Sequence, residues 1–147
     1  NTERLRQLAK NYGLTGQDFH KDSRGFIIIT RTGIDKIQTK DNIKVTYITE
    51  KLELDFVVIK AIASSEHGRI ESYGEASPKN CKNSYFVAMA QKRSKARAIL
   101  ELSNFYELKV YSEDEIEPEI NYKALKINNN SNSNNKPLQF PENLKDK

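Results

Sequence analysis

Hydrophobic and polar positions alternate with a period of two through the middle of the chain, and this stretch predicts a β-meander. Residues 43–49 are rich in β-branched side chains and set Val45, Tyr47 and Thr49 on one face. Residues 56–63 are more continuously apolar, and residues 69–76 alternate Ile70 and Ser72 against Glu71 and Tyr73. Hairpins are expected around residues 50–55 and 66–68, the second closed by Ser64-Ser65-Glu66-His67-Gly68. Upstream, Gly25-Phe-Ile-Ile-Ile-Thr-Arg31 predicts a buried strand. Thr32 then caps a short helix over residues 33–39, which stops before Asp41-Asn42. At the start, residues 2–12 place Leu5, Leu8 and Ala9 at helical intervals, and Gly13 supplies the stop.

The period changes after residue 76. Ser77-Pro78 predicts an N-cap and first helical residue. Residues 84–104 hold no Gly or Pro and are dominated by Ala, Leu, Lys and Arg, which predicts one long helix. Residues 106–111 follow as a short edge strand, and Glu113-Asp114-Glu115 as a solvated acidic run. Residues 128–135 are only Asn and Ser, with no apolar side chain to bury, so a disordered tail is expected there. Pro137-Leu-Gln-Phe-Pro141 is read as solvated tail, with a short docking peptide as the alternative. The fold class is therefore α+β, a small antiparallel meander packed against one long helix. Residues 1–13 form a helical segment, 14–117 the main domain and 118–147 a flexible tail.

The formal net charge is +4 and the pI near 9.1, which permits a polyanionic partner without requiring one. Charge distribution says more. Between Glu75 and Glu101 stand Lys79, Lys82, Lys92, Arg93, Lys95 and Arg97 and no acidic residue. On a helical wheel, Met89, Leu100, Phe86 and Ala90 share one side, and Arg93 and Arg97 rise within the same arc. Ala88, Ile99 and Leu102 make a second apolar strip, so the helix is expected to be covered by the sheet and by a neighbouring subunit. Alanines at 88, 90, 96 and 98 allow another backbone to come close. On the wheel alone, phosphate contact by Arg93 and Arg97 and a structural role, snorkelling or pairing with Glu75 or Glu101, stand level. Gly74, just before Ala76-Ser77-Pro78, allows an unusual backbone angle or close approach of a ligand backbone, a simple turn being the commoner outcome.

Other chemistry finds little support. Cys81 is the single cysteine, so no intramolecular disulfide forms, and a reducing, cytosolic setting is expected. No apolar run reaches the ~20 residues of a spanning helix, and no leader-like segment is visible. His20 and His67 are far apart, without paired Cys/His spacing, so no metal and no cofactor is expected. Magnesium on the 113–115 run and a Cys81–His67 nucleophile pair are both weaker than their structural alternatives. Tyr47, Tyr73, Tyr85 and Phe86 are candidates to stack on bases, one or two of them at most.

Three segments carry a resemblance: Ile28-Ile-Thr-Arg-Thr-Gly-Ile-Asp-Lys-Ile-Gln38, Tyr73-Gly-Glu-Ala-Ser-Pro-Lys-Asn80, and Tyr85-Phe-Val-Ala-Met-Ala-Gln-Lys-Arg-Ser-Lys-Ala-Arg-Ala-Ile-Leu100. They resemble phage and mobile-element single-strand annealing proteins related to the Rad fifty-two group, over residues 14–116. Ser94 stands where that pattern has alanine, and the chain is shorter than the longer annealing proteins. The resemblance implies a β-β-β-α core, self-assembly into rings or filaments, and single-stranded DNA held without ATP along a basic groove. It implies that Lys92, Arg93 and Arg97 contribute to the DNA-binding groove or to its support, with Lys36, Lys40 and Lys44 as the other wall. Lys79 and Lys82 join them as basic candidates. No Walker-type phosphate loop is present. The implied setting is the cytoplasm of a bacterial host, with an exonuclease or a single-strand-binding protein as further partners and no membrane. The competing readings are a magnesium-dependent nucleic-acid-processing enzyme using Asp55, Glu71 and Glu75, and a protein-interaction module that binds no DNA.

Overall fold

The computed structural model describes residues 2–115. The 128–135 stretch, the 137–141 peptide and the rest of the expected tail lie outside the described residues. The elements run α1 (Thr2–Asn11), β1 (Phe19–Lys21), β2 (Ile27–Ile29), α2 (Arg31–Lys40), β3 (Lys44–Glu53), β4 (Phe56–Ser65), β5 (Gly68–Ala76), α3 (Phe86–Leu102) and β6 (Val110–Ser112). The protein is α+β. Strands β3, β4 and β5 make an antiparallel sheet in that order, and α3 lies across β4 and β5. No helix among the described residues is long and apolar enough to cross a membrane.

The meander follows from its alternation. Val57, Ile59, Ala61 and Ala63 of β4 are buried, and their partners on β5 are Ala76, Gly74, Ser72 and Ile70, so these residues form the face under α3. Strand β3 pairs with β4 from Lys44↔Ser64 to Glu53↔Phe56, with a register shift between Thr49 and Lys51. Such a bulge bends an edge strand and blunts its tendency to pair further.

Gly74 explains how close the helix comes. A Cβ built there would sit 2.3 Å from the Ala90 carbonyl oxygen and 2.4 Å from the Ser94 nitrogen. The backbone that Gly74 admits is the chain's own α3, not a ligand's. Ala90, Ala96 and Ala98 are buried at this helix, whereas Ala88 is exposed.

The second cover over α3 comes from the same chain. A second sheet in the order β1-β2-β6, with β1 and β2 antiparallel and β2 and β6 parallel, joins α1 and α2 in a layer on the far side of the helix. Ile99 and Leu100 of α3 share one core with Leu5 and Ala9 of α1, Ile34 and Ile37 of α2, and Ile29 and Val110. A smaller cluster of Val57, Ile59, Ala76, Cys81, Met89 and Ala90 fills the other end of the helix. Of the second strip, Ile99 lies in this core and Leu102 packs against it, whereas Ala88 stays exposed.

Several boundaries differ from expectation. Helix α2 is capped by Thr30, not Thr32: the Thr30 hydroxyl accepts from the Gly33 N–H at 3.1 Å. The expected 25–31 strand narrows to β2. The expected 106–111 strand is a 3₁₀ turn, Tyr106–Leu108, followed by β6. Ser77-Pro78 does not start α3. There the Asn80 side chain accepts from the Ser77 N–H at 3.0 Å and the Ser77 carbonyl accepts from the Asn80 N–H at 3.0 Å. This turn closes on itself, and residues 77–85 remain a loop before Phe86.

Candidate nucleic-acid interface

The eight basic residues singled out from the sequence do not form one surface. Lys79 and Lys82 stand exposed on the 77–85 loop, which Cys81 anchors against Met89 and Ala90 in the first half of α3. Lys36 and Lys40 belong to α2, which packs against α3 near Lys95. Lys36 is partly spent, since its ammonium lies 2.9 Å from the buried Asp18 carboxylate. Lys44 begins β3 opposite Ser64, so it projects from the sheet face away from α3. Lys40, Lys44, Lys79 and Lys92 have no carboxylate partner among the described residues and are exposed.

Arg93 and Arg97 turn inward, as their arc on the wheel suggested. Arg93 is 2% exposed. Its Nε donates to the Asp114 carbonyl at 3.0 Å, and Nη1 donates to the Glu75 carbonyl and the Asn80 side chain, each at 2.9 Å. Its Nη2 donates to the Asn80 carbonyl at 2.6 Å. One guanidinium thus ties together the end of β5, the 77–85 loop and the segment after β6. Burial holds its pKa below the ordinary arginine value. In this position Arg93 braces the structure and offers no donor to a phosphate.

Arg97 is the intermediate case. It donates to the Tyr73 carbonyl at 2.8 Å and pairs with Glu75 at 3.4 Å and Glu115 at 3.0 Å. Burial works to lower its pKa, but the carboxylates of Glu115 and Glu75 outweigh it and hold the value above the ordinary one.

The acidic run 113–115, expected to be solvated, is instead built into the protein. Asp114 is buried and accepts from the Arg31 guanidinium at 2.8 Å, and Glu113 accepts from the Arg31 backbone N–H at 2.5 Å. With Glu115 on Arg97, each acid of the run meets an arginine residue from α2 or α3.

The open surface lies on the other flank of α3. Tyr47, Thr49 and Leu52 pair with Ala61, Ile59 and Val57, so they face the side on which the helix rests. The helix rests mainly on β4 and β5, and this part of β3 overhangs and stays exposed. With Ala90 and Ser94 over Gly74 and Arg93 and Arg97 toward the outer edge of β5, helical spacing turns Val87, Gln91 and Lys95 toward the overhang. Ala88 and Lys92 point outward. Lys95 reaches Asp35 of α2 at 3.9 Å and closes one end of the trough. Its floor carries an exposed tyrosine, Tyr47, and its wall and rim carry Lys95 and Lys92. Tyr85, 70% exposed, stands at the start of the helix. Phe86 is half-buried against the Met89 cluster, so it belongs to the core.

On the opposite face of the meander the charges around Lys60 and Glu71 pair with one another. Lys60 lies 3.1 Å from Glu71 and 3.7 Å from Glu50, and Arg69 lies 2.7 Å from Glu71. Hydrogen bonds from Lys60 and Arg69 lower the Glu71 pKa, and the bond to Glu71 raises that of Lys60. The Lys60 ammonium also lies 6.0 Å from the centre of the Tyr73 ring.

The carboxylates weighed as an enzymatic set do not converge. Asp55 is in the β3–β4 turn, Glu71 is taken by Lys60 and Arg69, and Glu75 by Arg97. No group of three or more metal-ligating side chains is found among the described residues. Cys81 is buried beside Met89, while His67 sits on the β4–β5 turn 3.5 Å from Asp41. Lys95 and Arg31 are the charged residues that the sequence did not single out as site residues. Lys95 was visible in the basic stretch, whereas nothing near Arg31 in sequence signals its partners.

No protein-family model matches the chain, and no curated protein or solved structure matches it either.

Proposed function

We propose that the protein binds single-stranded DNA without ATP and anneals complementary strands, acting as a homo-oligomer in phage or mobile-element recombination. The observation that carries this reading is the trough beside α3. It combines an overhanging β3 floor bearing Tyr47 with Lys95 on the helix flank, which also meets Asp35, and Lys92 on the rim, while Glu101 is engaged by Ser72 in the row of Tyr47. Single strands suit such a surface because lysines neutralise phosphates while a tyrosine ring offers a stacking face to any base. Annealing needs no bond chemistry, only phosphates held and base edges left free. The sequence resemblance supplies the annealing and the self-assembly, and the three antiparallel strands followed by a long helix agree with the core it implies.

The deciding experiment mixes complementary labelled strands with the protein in the absence of nucleotide and follows duplex formation. Light scattering gives the assembly state, and a salt series gives the phosphate dependence. Faster annealing by a multimer whose affinity falls steeply with salt is expected. A monomer that ignores oligonucleotides at low salt overturns the proposal, and magnesium-dependent loss of the strand itself promotes an enzyme.

A further inference from the structure

The two long edges of the meander differ. On β5 the Tyr73 and Glu75 carbonyls accept from Arg97 and Arg93, so side chains of α3 occupy that edge. On β3, by contrast, Thr46 through Glu53 are all exposed, Ile48 by 44% and Leu52 by 66%. The β-branched residues Val45, Thr46, Ile48 and Thr49 favour strand pairing here. A long exposed edge of this kind is a template for another strand. The bulge decides which strand fits. Glu50 is skipped in the register with β4, which hinders pairing with a regular strand.

A second copy of β3 carries the same irregularity and matches it. With Glu50 left out, antiparallel pairing about a two-fold axis at Ile48 sets Ile48 opposite its own copy. Tyr47 then faces Thr49, Thr46 faces Lys51, Val45 faces Leu52 and Lys44 faces Glu53. Every pair shares one face of the sheet. Val45, Tyr47, Thr49 and Leu52 lie on the helix side, and Lys44, Thr46, Ile48, Lys51 and Glu53 on the other. Moving the axis to Tyr47 would set Lys44 opposite Lys51, and moving it to Thr49 would leave Lys44 and Val45 unpaired. Charge therefore selects the Ile48 register. Both ends have charge to offer: Lys44 has no carboxylate partner among the described residues, and Glu53 meets Lys51 at the long distance of 3.7 Å.

We propose that two copies of the protein join through their β3 edges, about a two-fold axis at Ile48, into one continuous sheet. Both α3 helices then lie on the same face of that sheet. The two overhangs become a single floor between two helix flanks, so the second copy supplies the wall that the trough lacks on its open side. Only the use of this joined floor rests on the single-strand-binding reading; the interface itself is measured without DNA.

The test is sedimentation of the full chain in the absence of nucleic acid. Wild type is expected to form dimers, or assemblies built from them, at micromolar concentration, and a strictly monomeric wild type overturns the proposal. Lys44→Glu and Glu53→Lys each set like charges opposite one another twice per dimer, and each is expected to weaken association about tenfold. The exchange Lys44→Glu/Glu53→Lys restores the opposite-charge pairs and is expected to recover wild-type association. Rescue of this kind does not follow from damage to the fold, which melting curves report separately. Single variants without effect, or an exchange that stays weak, overturn the proposal. A second arm places a thiol at the axis. Under mild oxidation Ile48→Cys is expected to give a disulfide-linked dimer, because directly opposite residues bring their Cβ atoms close to bonding distance. Leu54→Cys, on the hairpin turn away from the axis, is the control, and equal cross-linking of the two overturns the proposal. A dimer that passes both arms yet ignores oligonucleotides supports the interface and leaves the nucleic-acid reading to fail on its own.

Discussion

Lys92 and Arg93 are consecutive on α3, yet Lys92 lies in solvent and Arg93 donates four hydrogen bonds inside the protein. Both were plausible phosphate ligands on charge alone. The difference is about 100° of helical rotation, and it separates a charge that is free to meet a ligand from one already committed to three backbone carbonyls and an amide. Arginine suits the inner position because its planar fork serves several acceptors at once, and lysine suits the outer one because it stays hydrated and mobile. A basic helix is therefore not a basic surface, and counting its charges overstates what it offers to DNA.

The strongest challenge to this contrast is Arg93→Ala. It leaves the carbonyls of Asn80, Glu75 and Asp114 without their donor, and a loss of about 3–5 kcal/mol in urea unfolding is expected. On the helical wheel, phosphate contact and a structural role stood level for Arg93 and Arg97. The structure predicts that the Arg93 half of that pair costs stability first. A stable Arg93→Ala protein with weakened oligonucleotide binding would break the contrast.

Next in size is Gly74→Ala, where the new methyl group meets the α3 backbone at Ala90 and Ser94. Backbone does not yield as a side-chain tip does, and about 2–3 kcal/mol of destabilisation is expected. Calorimetry checks it, and an unchanged Tm would mean that α3 can lift away from the sheet.

Tyr12 sharpens the inward side of the comparison. Burial and its bond to Asp41, at 2.5 Å, raise the phenol pKa above its ordinary value. The unfolded chain then ionises first, so stability is lost as pH rises through the unfolded value near pH 10 toward the folded one. Tyr12→Phe should cost about 1 kcal/mol at neutral pH and should flatten that alkaline decline in a pH series of melting curves.

The smallest expected stability change belongs to the outer pair. Lys92→Ala/Lys95→Ala should alter stability by less than about 0.5 kcal/mol, while weakening oligonucleotide binding and lowering the salt slope by about 0.7 for each phosphate that is no longer neutralised. If binding is untouched, the trough is not the interface.

Much of the meander and of α3 could be read from the sequence because both follow from local periodicity. Val57, Ile59, Ala61 and Ala63 alternate, and the long Ala-, Lys- and Arg-rich stretch has no helix breaker. Signals that depend on distant partners were lost. The three residues of β1 are too few to show a period, and β2 finds β6 only through the parallel match Ile27↔Val110. Ser77-Pro78 has the local form of a helix start, but Asn80, held by Arg93, turns the chain instead. Glu113-Asp114-Glu115 looks solvated because Arg31, its main partner, is remote in sequence. At the candidate site, the arc of Arg93 and Arg97 announced that they were unusual, whereas the overhang of β3 depends on where the helix comes to rest.

The parallel pairing of β2 with β6 has a consequence for the order of events during synthesis. Strands β3 to β5 form hairpins from neighbouring residues, so this sheet can assemble as soon as it leaves the ribosome. Ile27 to Ile29 must wait for Val110 to Ser112, on the far side of the whole meander and α3 in the sequence. Until then the apolar Ile28 and Ile29 lack their final partner strand and are open to mispairing, so the nascent protein is most exposed to aggregation just before its second sheet closes.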